Sequence, residues 1–110
     1  MPLLHPVTPD VAQMIADRFR LLAEPMRIRI LDRLRSGEAN VHELAGLLGT
    51  TPQNVSKHLG VLAREGIVAK RKEGNFAYYR VADEGIWELC HLVCSGVERR
   101  LEALRLELSV

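Results

Sequence analysis

Apolar residues recur along this chain at two different spacings, and the change between them divides it into elements. Val11, Met14, Ile15, Phe19 and Leu22 keep the three- and four-residue rhythm of one helical face. Thr8 is a suitable cap for that helix, with Pro9 at its first position and Asp10 in its first turn, and the pattern predicts helix to about Ala23, where Glu24-Pro25 breaks it. A second helix is predicted from Pro25 to Ser36, with Ile28, Leu31 and Leu34 on one face and Gly37 at its end. Asn40 followed three residues later by Glu43 has the form of a capping box, and Val41, Leu44, Ala45 and Leu48 give a two-turn helix stopped by Gly49. Thr51-Pro52 opens the next helix at once, running to Gly66. A short helix, a glycine turn and a second capped helix make a helix-turn-helix.

The rhythm then changes. Ile67 to Lys72 and Phe76 to Val81 are short runs of β-branched, aromatic and basic residues joined by Glu73-Gly74-Asn75, which predicts a hairpin. From Asp83 to about Glu107 the helical period returns, with Ile86, Cys90, Val93, Val97, Leu101, Leu104 and Leu108 in one stripe. That stripe is too long for a small core to cover, so its outer part calls for a partner. The expected fold is mainly α with a β-hairpin wing: a winged helix-turn-helix with an extra helix at each end.

Composition narrows the function. A chain of 110 residues with no internal repeat is expected to form a single domain, residues 1–110, and its 47% apolar and 26% charged residues exclude disordered and collagen-like classes. At this length size disfavours a self-contained two-lobed enzyme with an enclosed cleft. No apolar run is long enough for a bilayer, and Met1-Pro2-Leu3-Leu4-His5 lacks the form of a signal peptide, so the expectation is a cytoplasmic protein with no membrane partner.

The net charge of +1 conceals a division. Pro52 to Lys72 carries Lys57, Arg64, Lys70, Arg71 and Lys72 against Glu65 alone, whereas Asp83 to Glu107 carries six acidic residues against three basic ones. The positive charge lies where it can meet a polyanion. On the second helix of the pair, Val55, Leu59 and Leu62 share the core face, Gln53, Lys57 and Arg64 point away from it, and Asn54 and Ser56 flank them. Amide, hydroxyl and basic groups at the N-terminal end of such a helix, from Thr51 onward, suit base edges in the major groove. The alternative is a solvated polar face, which the glycine turn before it and the basic hairpin after it disfavour. His58 lies nearer the apolar face, and reads first as a packing histidine and second as a phosphate contact. Lys70, Arg71, Lys72 and Arg80 surround a glycine-tipped hairpin that can follow a phosphate backbone.

Taken together, Leu22-Ala23-Glu24-Pro25-Met26-Arg27-Ile28-Arg29-Ile30-Leu31, Val41-His42-Glu43-Leu44-Ala45, Gln53-Asn54-Val55-Ser56-Lys57-His58-Leu59 and Gly74 through Tyr79-Arg80-Val81 resemble the ArsR/SmtB family of bacterial transcriptional repressors. The resemblance spans roughly Phe19 to Val81. It implies a homodimer built on the first and last helices that binds double-stranded DNA at an imperfect palindrome and is released by an effector, often a metal or metalloid. Two familiar effector sites of the family are incomplete. Val41-His42-Glu43-Leu44-Ala45 has no cysteine, and of the ligand set across the last helices only Asp83 is kept, with Gly85, Gly96 and Arg99 at the other places.

There remains Cys90-His91-Leu92-Val93-Cys94. On a helix Cys94 lies about 40° round from Cys90 and His91 about 100°, placing both thiols in or beside the apolar stripe and the imidazole at its rim. Thiols four residues apart on a helix are too distant for a disulfide, with Cβ atoms roughly 5–6 Å apart against the 3.5–4.5 Å required. Two thiolates one turn apart can chelate a soft ion such as arsenite, cadmium, zinc or copper, with a third ligand from His91, the N-terminal segment with His5, or the other subunit. The competing readings are a thiol-redox sensor and two cysteines that merely pack in an interface. An enzyme with a cysteine nucleophile and His91 as base is disfavoured, since His91 points away from Cys90 and no acid converges on them. A winged-helix protein-interaction module without DNA binding is the remaining alternative.

Overall fold

Residues 5–108 are described in a computed structural model of the chain. The elements run α1 (Pro9–Leu22), α2 (Pro25–Leu34), β1 (Ala39–Asn40), α3 (Val41–Leu48), α4 (Pro52–Arg64), β2 (Val68–Glu73), β3 (Phe76–Val81) and α5 (Gly85–Leu108). Local chemistry explains the starts. The Thr8 and Thr51 side chains accept from the backbone N–H groups of Val11 and Asn54, each ahead of a proline at the first helical turn. The Glu24 carboxylate caps α2 by accepting from Arg27 N–H, and Asn40 and Glu43 form the full reciprocal capping box of α3.

The expected helices are all present, and two of them end earlier than expected. α2 stops at Leu34 rather than Ser36 because Arg35 and Ser36 tighten into bonds to Asp32 and Arg33 carbonyls, and α4 stops at Arg64 rather than Gly66. Gly66 takes a left-handed φ of 75°, which lets Ile67 N–H reach back to Leu62 carbonyl at 2.9 Å. The Ile67 carbonyl then accepts from Ala82 N–H, so the residue expected to open the first strand is a buried hinge before it. Gly49, with φ 67°, makes the corresponding turn between α3 and α4. The last helix starts at Gly85, two residues beyond Asp83, whose carboxylate accepts from Gly85 N–H.

The hairpin has a third strand that periodicity did not reveal. The order is β1-β3-β2, all antiparallel, with Ala39 opposite Tyr79 and Asn40 opposite Tyr78. Two residues are too few to carry a period-two pattern, and only the return of the chain past the wing creates the pairing.

One core joins α2, α3, α4 and the sheet. Ile30, Leu44, Val55, Leu59, Leu62 and Ile67 are wholly buried in it, with Ala39, Val68 and Tyr79 supplying the sheet's inner face. α1 buries no residue completely, and α5 adds Ile86. The radius of gyration is 17.0 Å, against about 13 Å for a compact chain of this length. α5 is itself long, its 24 residues spanning about 36 Å at the α-helical rise, and Val97, Leu101 and Leu106 on its outer half are exposed.

Candidate nucleic-acid interface

α4 is held by its apolar face, which leaves its N-terminal polar face outward. Gln53, Ser56 and Lys57 are exposed, and their side chains make no hydrogen bond among the described residues. Thr51 is spent on capping, accepting from Asn54 N–H at 3.1 Å. The Asn54 side-chain amide donates to Thr50 Oγ1 at 3.0 Å, so its NH2 group is partly engaged and its side chain half-buried.

His58 leaves the group of outward-facing residues. Its side chain is 7% exposed, and Nδ1 accepts from Arg27 Nε at 3.1 Å. The proton therefore sits on Nε2, which faces Glu24 Oε2 at 3.6 Å. Desolvation by burial holds the imidazole below its ordinary value; Glu24 opposes this, while Arg27 and Lys57 reinforce it. Arg27 also donates to the Leu21 carbonyl at 2.9 Å. The residue weighed as a phosphate contact is thus a buried tie from α4 to the α1–α2 junction, because its ring falls on the core side of the helix.

The four basic residues of the wing divide between two faces. Val68 pairs with Val81, Lys70 with Tyr79 and Lys72 with Ala77, so both lysines continue the face that carries buried Val68 and Tyr79, the side on which α4 packs. Ala69 pairs with Arg80 and Arg71 with Tyr78 on the opposite face. Lys70, Lys72 and Arg80 are exposed. Arg71 is not free: it donates to Glu38 through Nε at 3.1 Å and Nη2 at 3.0 Å, and to Glu73 through Nη1 at 2.7 Å. Its guanidinium also lies 5.1 Å from the Tyr78 ring centroid. The hydrogen bond from Arg71 holds the Glu38 carboxyl below its usual range, and the two carboxylates raise Arg71.

The thiols lie far along the chain from this surface. Cys90 and Cys94 are free, the first half-buried and the second exposed, with Cys94 Sγ 3.7 Å from Glu98 Oε1. They stand on the wall between two clefts. One, of about 400 Å³, is apolar and is lined by Phe19, Leu22 and Ile28 on one side and Leu89 and Val93 on the other. The second, of about 310 Å³, places His91 beside both cysteines together with Arg29, Asp32, Arg35 and Trp87. Arg35 stacks on Trp87 at 5.4 Å. The donors have the softness a thiophilic ion prefers, but among the described residues of one chain no three His, Cys, Asp or Glu side chains converge as a metal-binding set. Asp83 is committed elsewhere, accepting from Arg18 Nη2 at 2.7 Å while Arg18 Nη1 donates to Glu65 carbonyl. No helix among the described residues is long and apolar enough to cross a membrane.

A capped recognition helix, a three-stranded wing and two terminal helices define a winged helix-turn-helix transcriptional regulator. Residues 22–71 match a family model described as a helix-turn-helix domain. The solved structure of Rv0081 from Mycobacterium tuberculosis superposes with a TM-score of 0.79 at 36% identity, covering 87% of this chain and 97% of that one. The crystallised antimony-specific transcriptional repressor AntR gives 0.76 at 32% identity, with 86% of each chain covered. A transcriptional repressor SmtB homolog of Synechocystis sp. is 34% identical over 81% of this chain and 67% of its own length. The chain belongs to the ArsR/SmtB family of transcriptional regulators. Among the curated relatives, it spans just under two thirds of Rv0081 and of KmtR, 66% and 65%.

Proposed function

We propose that this chain is a repressor that binds an imperfect palindrome of double-stranded DNA as a homodimer, residues 1–110 acting as one domain with dimerisation helices at both ends. The observation that carries the reading is that the chain leaves exposed both the polar N-terminal face of α4 (Gln53, Ser56, Lys57) and two lysines on one face of the wing (Lys70, Lys72). The Gln53 amide can address base edges and the lysines phosphates. Two copies joined through α1 and α5 would present two recognition helices to half-sites about one helical turn apart. Support for that joint comes from Met14, Phe19, Val93, Val97 and Leu101, all more than half exposed on those two helices.

A soft metal or metalloid ion bound by Cys90 and Cys94 is the effector this reading favours, supported by the donor chemistry and by the likeness to a repressor described as antimony-specific. One chain supplies two thiolates, so a third ligand has to come from His91, the N-terminal segment or the second subunit. For release, the ion must bind the DNA-free conformation more tightly than the DNA-bound one. A thiol-redox response is the second reading, favoured by the exposure of Cys94.

Mobility shift with DNA from upstream of the protein's own gene tests the first claim. Gln53→Ala or Lys57→Ala should narrow the gap between operator and random DNA, each good base contact contributing ~1–3 kcal/mol. Titration of the complex with arsenite, cadmium, zinc, copper(I) and peroxide, comparing wild type with Cys90→Ser and Cys94→Ser, tests the second. Equal dissociation of all three proteins would reduce the cysteines to packing residues.

A further inference from the structure

Basic side chains on a wing are ordinarily counted together as phosphate contacts, yet the surroundings of Arg71 differ from those of its neighbours. Three of its N–H groups are already directed at carboxylate oxygens, two of them in a bidentate pair with Glu38, and Tyr78 covers one face of the guanidinium. Glu38 immediately precedes β1, and Glu73 ends β2. The bonds therefore join the chain entering the third strand to the outer strand of the hairpin, across β3. Lys70 and Lys72, one residue either side of Arg71, point to the other face of the sheet.

We propose that Arg71 is a positioning residue that clamps the wing to the chain before β1 through Glu38 and Glu73, and that phosphate contact on β2 falls to Lys70 and Lys72. The inference rests on the DNA-binding reading for its consequence, although the clamp itself is a property of the free protein. A guanidinium suits this role where an ammonium does not, because its planar fork meets Glu38 with two parallel bonds and Glu73 with a third. Recruiting Arg71 to a phosphate would break those bonds and leave two carboxylates facing the polyanion.

The test uses the full chain, a fluorescein-labelled random-sequence duplex, and affinity measured across a salt series. Lys70→Gln and Lys72→Gln should each make the slope of log K against log salt shallower by about 0.9, as expected for loss of one phosphate contact. The charge-neutral double variant Glu38→Gln/Arg71→Gln should keep the wild-type slope while binding about fivefold more weakly, within the range of coupled neighbours. Arg71→Lys, which keeps the charge but loses the fork, should fall with the double variant rather than with wild type. Amide exchange on the DNA-free protein supplies a separate readout: both Arg71 variants should exchange faster in residues 68–81 and unchanged in α4. A double variant with the shallower slope of the lysine variants, or wing exchange unaltered by Arg71→Lys, would overturn the clamp. If wild type fails to bind any duplex, the DNA-binding reading falls, and the exchange data still decide the clamp.

Discussion

Leu59 on α4 and Val97 on α5 are both aliphatic side chains on well-formed helical stripes, yet Leu59 is wholly buried and Val97 is 53% exposed. The same contrast separates the two regions they belong to. Between Ile30 and Tyr79, apolar positions close onto one another from three helices and a sheet. On α1 and the outer part of α5, Met14, Phe19, Val93, Val97 and Leu101 have the same spacing and little to cover them. Periodicity specifies that a helix has an apolar face; it does not specify whether that face is covered by its own chain or by another. The chain thus has one region closed on its own contacts and an arm whose apolar face its own chain leaves largely uncovered.

The largest expected effect tests the closed region. Leu59→Ala should lower stability by about 2–5 kcal/mol in urea unfolding, the usual range for truncating a fully buried leucine, and the loss should not depend on protein concentration. Phe19→Ala should instead show a loss that grows with protein concentration, because its burial is tied to association. Equal, concentration-independent losses would abolish the distinction between the two regions.

Val97→Asp or Leu101→Asp should weaken dimerisation by about a hundredfold, the scale of leaving a charge unpaired in an apolar interface. Sedimentation at micromolar concentration would show monomers with an unchanged far-ultraviolet spectrum. A wild-type protein that is itself monomeric there would contradict the proposed joint.

A smaller effect is expected where the two regions meet. Arg18 ties α1 to Asp83 and to the end of α4, but both partners of the ion pair are about two fifths exposed. Arg18→Ala should therefore cost roughly 0.2–1 kcal/mol, less in high salt. Cysteine-free fluorescence or exchange measurements on α1 would show it loosening before the core does.

The smallest effect is in the pH profile. The folded state holds His58 below the ordinary histidine value of about 6.5, so at lower pH the unfolded chain binds the proton more readily. This contribution to stability is complete above the unfolded value, declines as pH falls below it, and levels off below the folded one. Asn can offer Arg27 an acceptor near the Nδ1 position without titrating, so His58→Asn should flatten the difference between neutral and mildly acidic unfolding midpoints. Identical profiles for the two proteins would show that the tie between Arg27 and His58 does not sense protonation.

The sequence by itself determined the elements that depend on neighbours a few residues away. Thr8, Asn40 and Thr51 caps, prolines at first helical turns, and glycines at Gly49 and Gly66 act through bonds within one turn, so their places were legible from the chain alone. The outward set on α4 was legible for the same reason, since one helical period sorts Gln53 and Lys57 from Val55 and Leu59. What only the tertiary structure decided were relations between residues distant in sequence. Pairing of Ala39 with Tyr79 created a strand too short to have a pattern, and Glu38 reached Arg71 across 33 positions to engage a side chain that composition had counted as free charge. His58 was placed between Arg27 and Glu24 by the packing of α4 on α2, which turned a candidate phosphate contact into a buried hydrogen-bond acceptor. Charge and periodicity are properties of a residue and its local spacing, whereas the availability of a charge depends on which partner the fold brings to it, and that is set by the burial of the whole core.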